Sequence, residues 1–373
     1  MRNEDLKVAI VHEFLSNRGG AEKVLETWCE MYPKADIFTL IYQSERYRNS
    51  IISKHKIYTS FIDRLPFGRH KYRNFLPLMP FAIEQFDLRG YDLVISNHYI
   101  VAHGVITSSE QLHVVNTCTP MKQVWSSYFE YINDPLLKNK LKRVLARGFI
   151  HKFRIWDSTV AQRIDNFIAI STEVSERIKR YYGKDSMVIF PPVDFESLVP
   201  KEKLIKEDYF LGLSRLMPMK RFDLMIDAFK QFPNKNLKIA GGGPEYQKLK
   251  ERAKGSDNIE LLGWVSENDK IQLYQKARAV LFCAYEDFGI VPVEAQAAGT
   301  PVIAYGKGGV IDTVVPGKTG VLFETQTVDS LTKAIFNFER MKFDRGMLIK
   351  NAKRFSKERF KKEFVEYVEK KIN

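Results

Sequence analysis

The chain has 373 residues, 45 % of them hydrophobic, enough for two domains of ordinary size, each with its own core. Its formal charge of +13 points to acidic partners, but no zinc-finger spacing, helix-turn-helix signature or aromatic stacking motif accompanies it, which argues against nucleic acid. No stretch approaches the roughly 18–20 uninterrupted apolar residues of a membrane span, and the cysteines Cys29, Cys118 and Cys283 fit reduced thiols in a cytoplasm, with no metal-ligand spacing among them.

Met1 to Lys7 runs straight into a strand without a signal-peptide layout. Leu6–Val11 is that opening strand. His12 to Val24 follows, with Gly19-Gly20 placed where a tight turn precedes a helix; Glu22 lies beside them. Between Thr59 and Phe86, basic and large apolar residues interleave, broken by Pro66, Pro77 and Pro80. Two readings stand: a helical excursion packed on the first domain, or a membrane-surface segment with Arg64, Arg69, Lys71 and Arg73 on anionic headgroups. Tyr91–Ser96 is a buried strand, and His98 at its carboxyl end is a candidate general acid/base, hydroxyl orienter or satisfied core histidine.

Leu112–Thr117 is a further strand, running into Cys118-Thr119-Pro120-Met121-Lys122. From Lys138 to Arg154 helical spacing gives one apolar and one cationic face, read as a solvated helix or a second membrane-surface helix. Asp165–Ser171 is a late strand of the first domain. Pro191-Pro192 stiffens an extended linker, placing the boundaries at 1–192, 193–354 and a closing helical segment, 355–373, across the junction.

The second series opens with a strand from Tyr209. Arg215 and Lys220 at and beyond its end form a cation pair suited to a diphosphate, the first by its fork and the second as a point charge. Leu237–Ala240 ends in Gly241-Gly242-Gly243, which allows close backbone approach to a nucleotide. Leu261–Ser266 is a short strand; its end, at Trp264, presents backbone groups to a base. Ala279–Ala284 is a buried strand. The loop after it carries Glu286 and Phe288; Gly289 releases the backbone into a helix with Pro292 in its first turn, ended by Gly299. An anion there meets the free N–H groups of Gly289, Ile290 and Val291. Glu294, about one turn in, is placed for ribose hydroxyls and Glu286 for those of a sugar.

The run from Glu286 to Ile303 resembles the Glu-x7-Glu signature of retaining glycosyltransferases of family 4. Gly19-Gly20, Thr119-Pro120, Trp156-Asp157, Pro191 to Asp194, Arg215/Lys220 and Gly241 to Gly243 extend the resemblance over nearly the whole chain. It implies an α/β protein of the GT-B fold: two facing Rossmann-like domains with parallel sheets, the acceptor on the first and a nucleotide sugar on the second. The closest likeness is to bacterial GDP-mannose-dependent mannosyltransferases of polysaccharide assembly, with a glycan or lipid-linked saccharide as acceptor.

The implied catalytic residues are Glu286, Arg215, Lys220 and His98. The implied acceptor side is Gly19, Gly20, Glu22, Cys118 and Lys122, where Cys118 and Lys122 replace the subgroup's histidine and arginine. No cofactor is expected beyond the donor itself, and no metal, since no Asp-x-Asp pair occurs. The expected location is the cytoplasm, peripheral on the inner membrane face if the basic segments bind anionic lipid. Two alternatives are a UDP-sugar enzyme of the same fold, a 2-epimerase included, and a non-catalytic nucleotide-sugar or lipid-binding module.

Overall fold

The computed structural model describes residues 6–134, 139–202 and 205–372. Met1 to Asp5 and Lys138 therefore lie outside the described residues. The chain divides into two units, one up to Pro191 and the other from Pro192 to Arg359, and the segment from Phe360 onward belongs to the first.

The first unit is built on seven strands: β1 (Val8–Leu15), β2 (Asp36–Tyr42), β3 (Ile57–Thr59), β4 (Leu93–His98), β5 (Leu112–Thr117), β6 (Asn166–Ala169) and β7 (Ser186–Val188). Their order is β3-β2-β1-β4-β5-β6-β7, all parallel. Alternation splits the apolar strand residues between two faces. Val8 and Ile10 of β1 join Leu25, Trp28 and Ile95 in one core; Ala9 and Val11 join Phe38, Ile83 and Phe153 in the other. The helix Lys357–Ile372 adds Phe360 and Phe364 to the first of these cores, against Trp28. Burying each of these rings stabilises the docked helix by about 2–3 kcal/mol.

The second unit has six strands: β8 (Tyr209–Leu213), β9 (Asn236–Ala240), β10 (Ile259–Gly263), β11 (Ala279–Phe282), β12 (Val302–Tyr305) and β13 (Gly320–Phe323). Their order is β10-β9-β8-β11-β12-β13, again parallel. In both sheets the order reverses once, between β1 and β4 and between β8 and β11. A crevice opens outside the carboxyl ends of the strands at such a point.

Two features depart from the sequence reading. The opening strand runs on through His12 and Glu13 to Leu15, and both polar side chains are fully buried. The segment from Thr59 to Phe86 is mostly short 3-10 turns, Phe61–Arg64 and Tyr72–Leu78, with a helix at Met79–Glu84. Ile62, Met79, Ala82 and Ile83 enter the core, while Phe67 and Phe81 stay exposed.

Candidate active site

The carboxyl edge of the second sheet gathers Arg215, Lys220, Gly241 to Gly243, Trp264, Glu286 and Gly289, each from a segment that follows a strand of this parallel sheet. Arg215 and Lys220 follow β8, and Glu286 follows β11, so they flank the crevice where the order reverses. Lys220, ending the 3-10 turn Pro218–Lys220, is ion-paired with Glu286. Arg215 is exposed.

Gly241 has φ +138°, and a Cβ there would lie 1.9 Å from the Ser214 carbonyl oxygen. Only glycine lets the β9 and β8 loops close to this distance. Gly289, at φ +83°, caps the helix Ile290–Ala297, whose half-buried first residues, Ile290 and Val291, offer two N–H groups to an anion.

Glu294 lies inside this helix, nearly buried. Its carboxylate accepts from the Tyr274 hydroxyl at 2.9 Å and from Lys270 at 3.2 Å. Burial pulls the Lys270 ammonium down, but Glu294 and Glu267 more than reverse this, leaving its pKa raised. Tyr274 and Lys270 thus fix the rotamer of the expected ribose-binding carboxylate. Sequence reasoning missed both, because they sit in the middle of a helix, Glu267–Lys276, that reads as ordinary surface.

Trp264 is 79 % exposed just beyond β10, a strand that starts at Ile259, earlier than the sequence suggests. Phe288, expected on the donor side, buries its ring against Phe355, with ring centroids 5.7 Å apart.

In the first unit, neither Gly19 nor Gly20 adopts a left-handed conformation; Gly19 is extended at φ −151° and caps the helix Gly20–Met31. The close approach there is to Glu22, whose Oε2 lies 3.1 Å from where a Gly19 Cβ would sit. Glu22 lies 3.4 Å from His12 Nε2, and Asn97 lies 3.2 Å from His12 Nδ1. The Cys118 thiol donates to Asn97 Oδ1 at 3.4 Å. The expected acceptor residues Glu22 and Cys118 are therefore joined through His12 and Asn97, neither foreseen. Lys122 is half-buried in the turn after Pro120, where its carbonyl accepts from the Trp125 and Ser127 amides.

Of the three readings of His98, the structure fits the satisfied core histidine and not a catalytic group. Its ring is 0 % exposed, so it presents no nitrogen to a bound sugar. Nε2 lies 3.3 Å from the Tyr182 hydroxyl, which donates to Asp157 Oδ2 at 3.0 Å; the Trp125 indole donates to the same oxygen at 2.7 Å. The His103 ring is tilted against His98, with ring centroids 3.7 Å apart, and faces Asp157. Beside them, one oxygen of Glu13 accepts four successive backbone amides, Tyr99 to Ala102, at 2.7–3.1 Å. Burial pushes Glu13 and Asp157 up, but histidines and donors outweigh it, holding both below the usual carboxylate range. This cluster pins the β4 loop from beneath. Of its members, His98, His103 and Asp157 stand out in the sequence, the last through the Trp156-Asp157 pair.

Residues 194–355 match the family Glycosyl transferases group 1. An uncharacterized glycosyltransferase from Methanocaldococcus jannaschii is 31 % identical over 199 residues, 52 % of this chain and 55 % of its own length. A GDP-mannose-dependent alpha-(1-6)-phosphatidylinositol monomannoside mannosyltransferase from Mycolicibacterium smegmatis is 30 % identical over 209 residues, 48 % of this chain and 54 % of that one. The chain spans about half the length of the curated relatives it matches. Among solved structures, Anabaena HepE in complex with UDP and glucose is similar with a TM-score of 0.69 at 18 % identity, over 98 % of this chain and 99 % of that one. The fold is thus that of the GT-B proteins, with two parallel-sheet Rossmann-like domains.

Proposed function

We propose that the chain is a retaining, metal-independent glycosyltransferase that moves a hexose from a nucleotide sugar to a hydroxyl of a glycan or lipid-linked acceptor. The observation that carries this reading is the grouping of Arg215, Lys220, Glu286 and the capped helix start at Gly289 around the crevice between β8 and β11. Negative charge grows on the nucleoside diphosphate as it departs. Two cations and the N–H groups of Ile290 and Val291 stabilise that charge in place. Glu294, locked by Tyr274 and Lys270, takes ribose hydroxyls, and Glu286 the sugar hydroxyls. The acceptor hydroxyl attacks from the face the diphosphate leaves.

GDP-mannose is the proposed donor. The match at Thr119-Pro120-Met121 and the mycobacterial relative, a GDP-mannose-dependent enzyme by name, support it. A UDP-sugar donor is the second reading, favoured by the fold shared with a UDP-bound protein.

We also place the protein in the cytoplasm, at the inner membrane surface. No helix among the described residues is long and apolar enough to cross a membrane. The helix Lys140–Gln162 instead exposes Leu141, Val144 and Leu145, flanked by Lys140, Lys142 and Arg147, with no acidic residue before Asp157.

The test is thermal stabilisation by GDP-mannose, UDP-glucose, UDP-N-acetylglucosamine and UDP-galactose, with and without EDTA. Turnover is followed by nucleoside diphosphate release and the product anomer by NMR. A shift from GDP-mannose alone, unaffected by EDTA, with the donor's anomeric configuration kept in the product, is the expected result. Loss of activity in EDTA, or an inverted product, overturns the mechanism. Binding without turnover against any acceptor overturns the enzyme.

A further inference from the structure

The first unit carries an open cavity of about 610 Å³ that none of the expected catalytic, donor-side or acceptor-side residues lines. Its wall includes Asn17, Arg46, His70, Lys71, Arg73 and Asn74, and no carboxylate among the described residues. Asn17 follows β1, Arg46 follows β2, and His70 to Asn74 come from the excursion between β3 and β4. The cavity thus sits at the carboxyl edge of the first sheet, two residues from Gly19.

Its cations are held by neutral groups. Arg46 donates to Gln43 Oε1 at 2.7 Å and Asn17 Oδ1 at 3.4 Å. Lys71 lies over the Phe67 ring at 5.2 Å and Arg73 over Tyr72 at 5.8 Å. Neighbouring cations outside the cavity are neutralised, Arg69 by Asp63 and Arg18 by Glu26. The wall is also pinned: Gln43 Nε2 donates to the Arg69 carbonyl at 2.6 Å, and the Ser16 hydroxyl to Tyr72 at 3.3 Å. Phe67 turns the loop at φ +61°, unusual for a side chain of that size.

We infer that this cavity binds a phosphate or diphosphate group, and that the acceptor is therefore a phosphorylated molecule. Two guanidiniums and an ammonium, oriented without being neutralised, match phosphate oxygens by forked and point contacts. The volume accommodates the phosphate together with part of its carrier. The word acceptor rests on the glycosyltransferase reading; the anion site does not.

The full-length Lys220→Ala variant, weakened at the second unit's diphosphate cations, is titrated with inorganic pyrophosphate by calorimetry at low salt. Saturable binding is expected, with affinity falling at least about tenfold when Lys71→Ala and Arg73→Ala are added. Circular dichroism, and donor-induced thermal shift with Lys220 restored, show that the double change leaves the fold and the donor site in place. Absent pyrophosphate binding in the parent, or unchanged affinity in the double variant, overturns the inference, whatever becomes of the donor assignment. Geranyl diphosphate binding more tightly than pyrophosphate, with the same loss in the double variant, identifies a lipid-linked diphosphate. Equal affinities with that loss identify a soluble phosphorylated acceptor.

Discussion

Lys220 and Glu286 form an ion pair between the loops that follow β8 and β11, at the point where the order of the second sheet reverses. The cation proposed to receive the departing diphosphate is therefore already partnered by the carboxylate proposed to receive the sugar. Donor binding must exchange that contact for two new ones. Glu286→Gln removes the competing charge: nucleoside diphosphate is expected to bind more tightly while transfer slows. Lys220→Ala is expected to weaken nucleotide binding and lower kcat by about 100- to 1,000-fold. Calorimetry beside initial rates separates the two, and unchanged kcat in Lys220→Ala would remove it from the catalytic set.

Glu294 is held from two sides, so its partners have separable effects. Tyr274→Phe deletes one charge-assisted hydrogen bond in a buried position, costing about 1.5–3 kcal/mol. Donor KM is expected to rise roughly tenfold with little change in kcat, because a ribose contact is made equally in ground and transition states. A fall in kcat with KM unchanged would instead place Glu294 near the reacting bond.

Gly241→Ala tests the backbone approach. The new methyl meets the Ser214 carbonyl at 1.9 Å, on a backbone at φ +138°. The β8 and β9 loops must separate, and a loss of at least 2 kcal/mol in urea unfolding is expected. Gly242→Ala, with 3.9 Å to the nearest atom, is the matched control. Equal stability of the two would show that the close approach is not needed.

The second unit was largely legible because its chemistry follows strand ends. Apolar runs such as Ala279–Ala284 marked buried strands, and Gly289 marked the helix start. Parallel strands then bring their carboxyl ends to one edge. The first unit was less legible. His12 and Glu13 look like loop residues, since nothing local shows that amides 86 to 89 positions later will satisfy Glu13. His98 misled for the same reason: position at a strand end is readable, burial under Tyr182 and Asp157 is not. Strand β2, Asp36–Tyr42, lies outside the elements expected from the sequence although its apolar run, Ile37-Phe38-Thr39-Leu40-Ile41, carries the signal of a buried strand.

The exposed stripe on the helix Lys140–Gln162 gives a membrane test. Leu141, Val144 and Leu145 contribute apolar area, and the flanking cations attract anionic headgroups at about 1 kcal/mol each. Sedimentation with vesicles containing phosphatidylglycerol is expected to exceed that with neutral vesicles and to fall in salt. Val144→Glu with Leu145→Glu should abolish it without altering donor binding. Equal partition to both vesicle types would refute the membrane surface.

Acid stability reads out the buried imidazoles. Burial and the neighbouring His103 push His98 down to about 4; burial, with His103 and Arg163, pushes His113 down to about 3. In the unfolded chain both titrate near 6.5. As pH falls through 6.5 the unfolded state takes up protons that the folded state refuses, so stability falls, down to the folded values. Glu13 and Asp157, held low in the fold, act in the same direction, but their contribution is lost only at more acid pH, below the unfolded carboxylate range. The window from pH 6.5 to 5 therefore isolates the histidines. Urea unfolding should lose a few kcal/mol across it. His98→Gln and His113→Gln should each flatten the slope, whatever they do to stability at pH 7. A wild-type profile flat from pH 7 to 5 would mean that the folded chain takes up these protons as readily as the unfolded one, and the neutral state of the buried His98 and His113 imidazoles would be wrong.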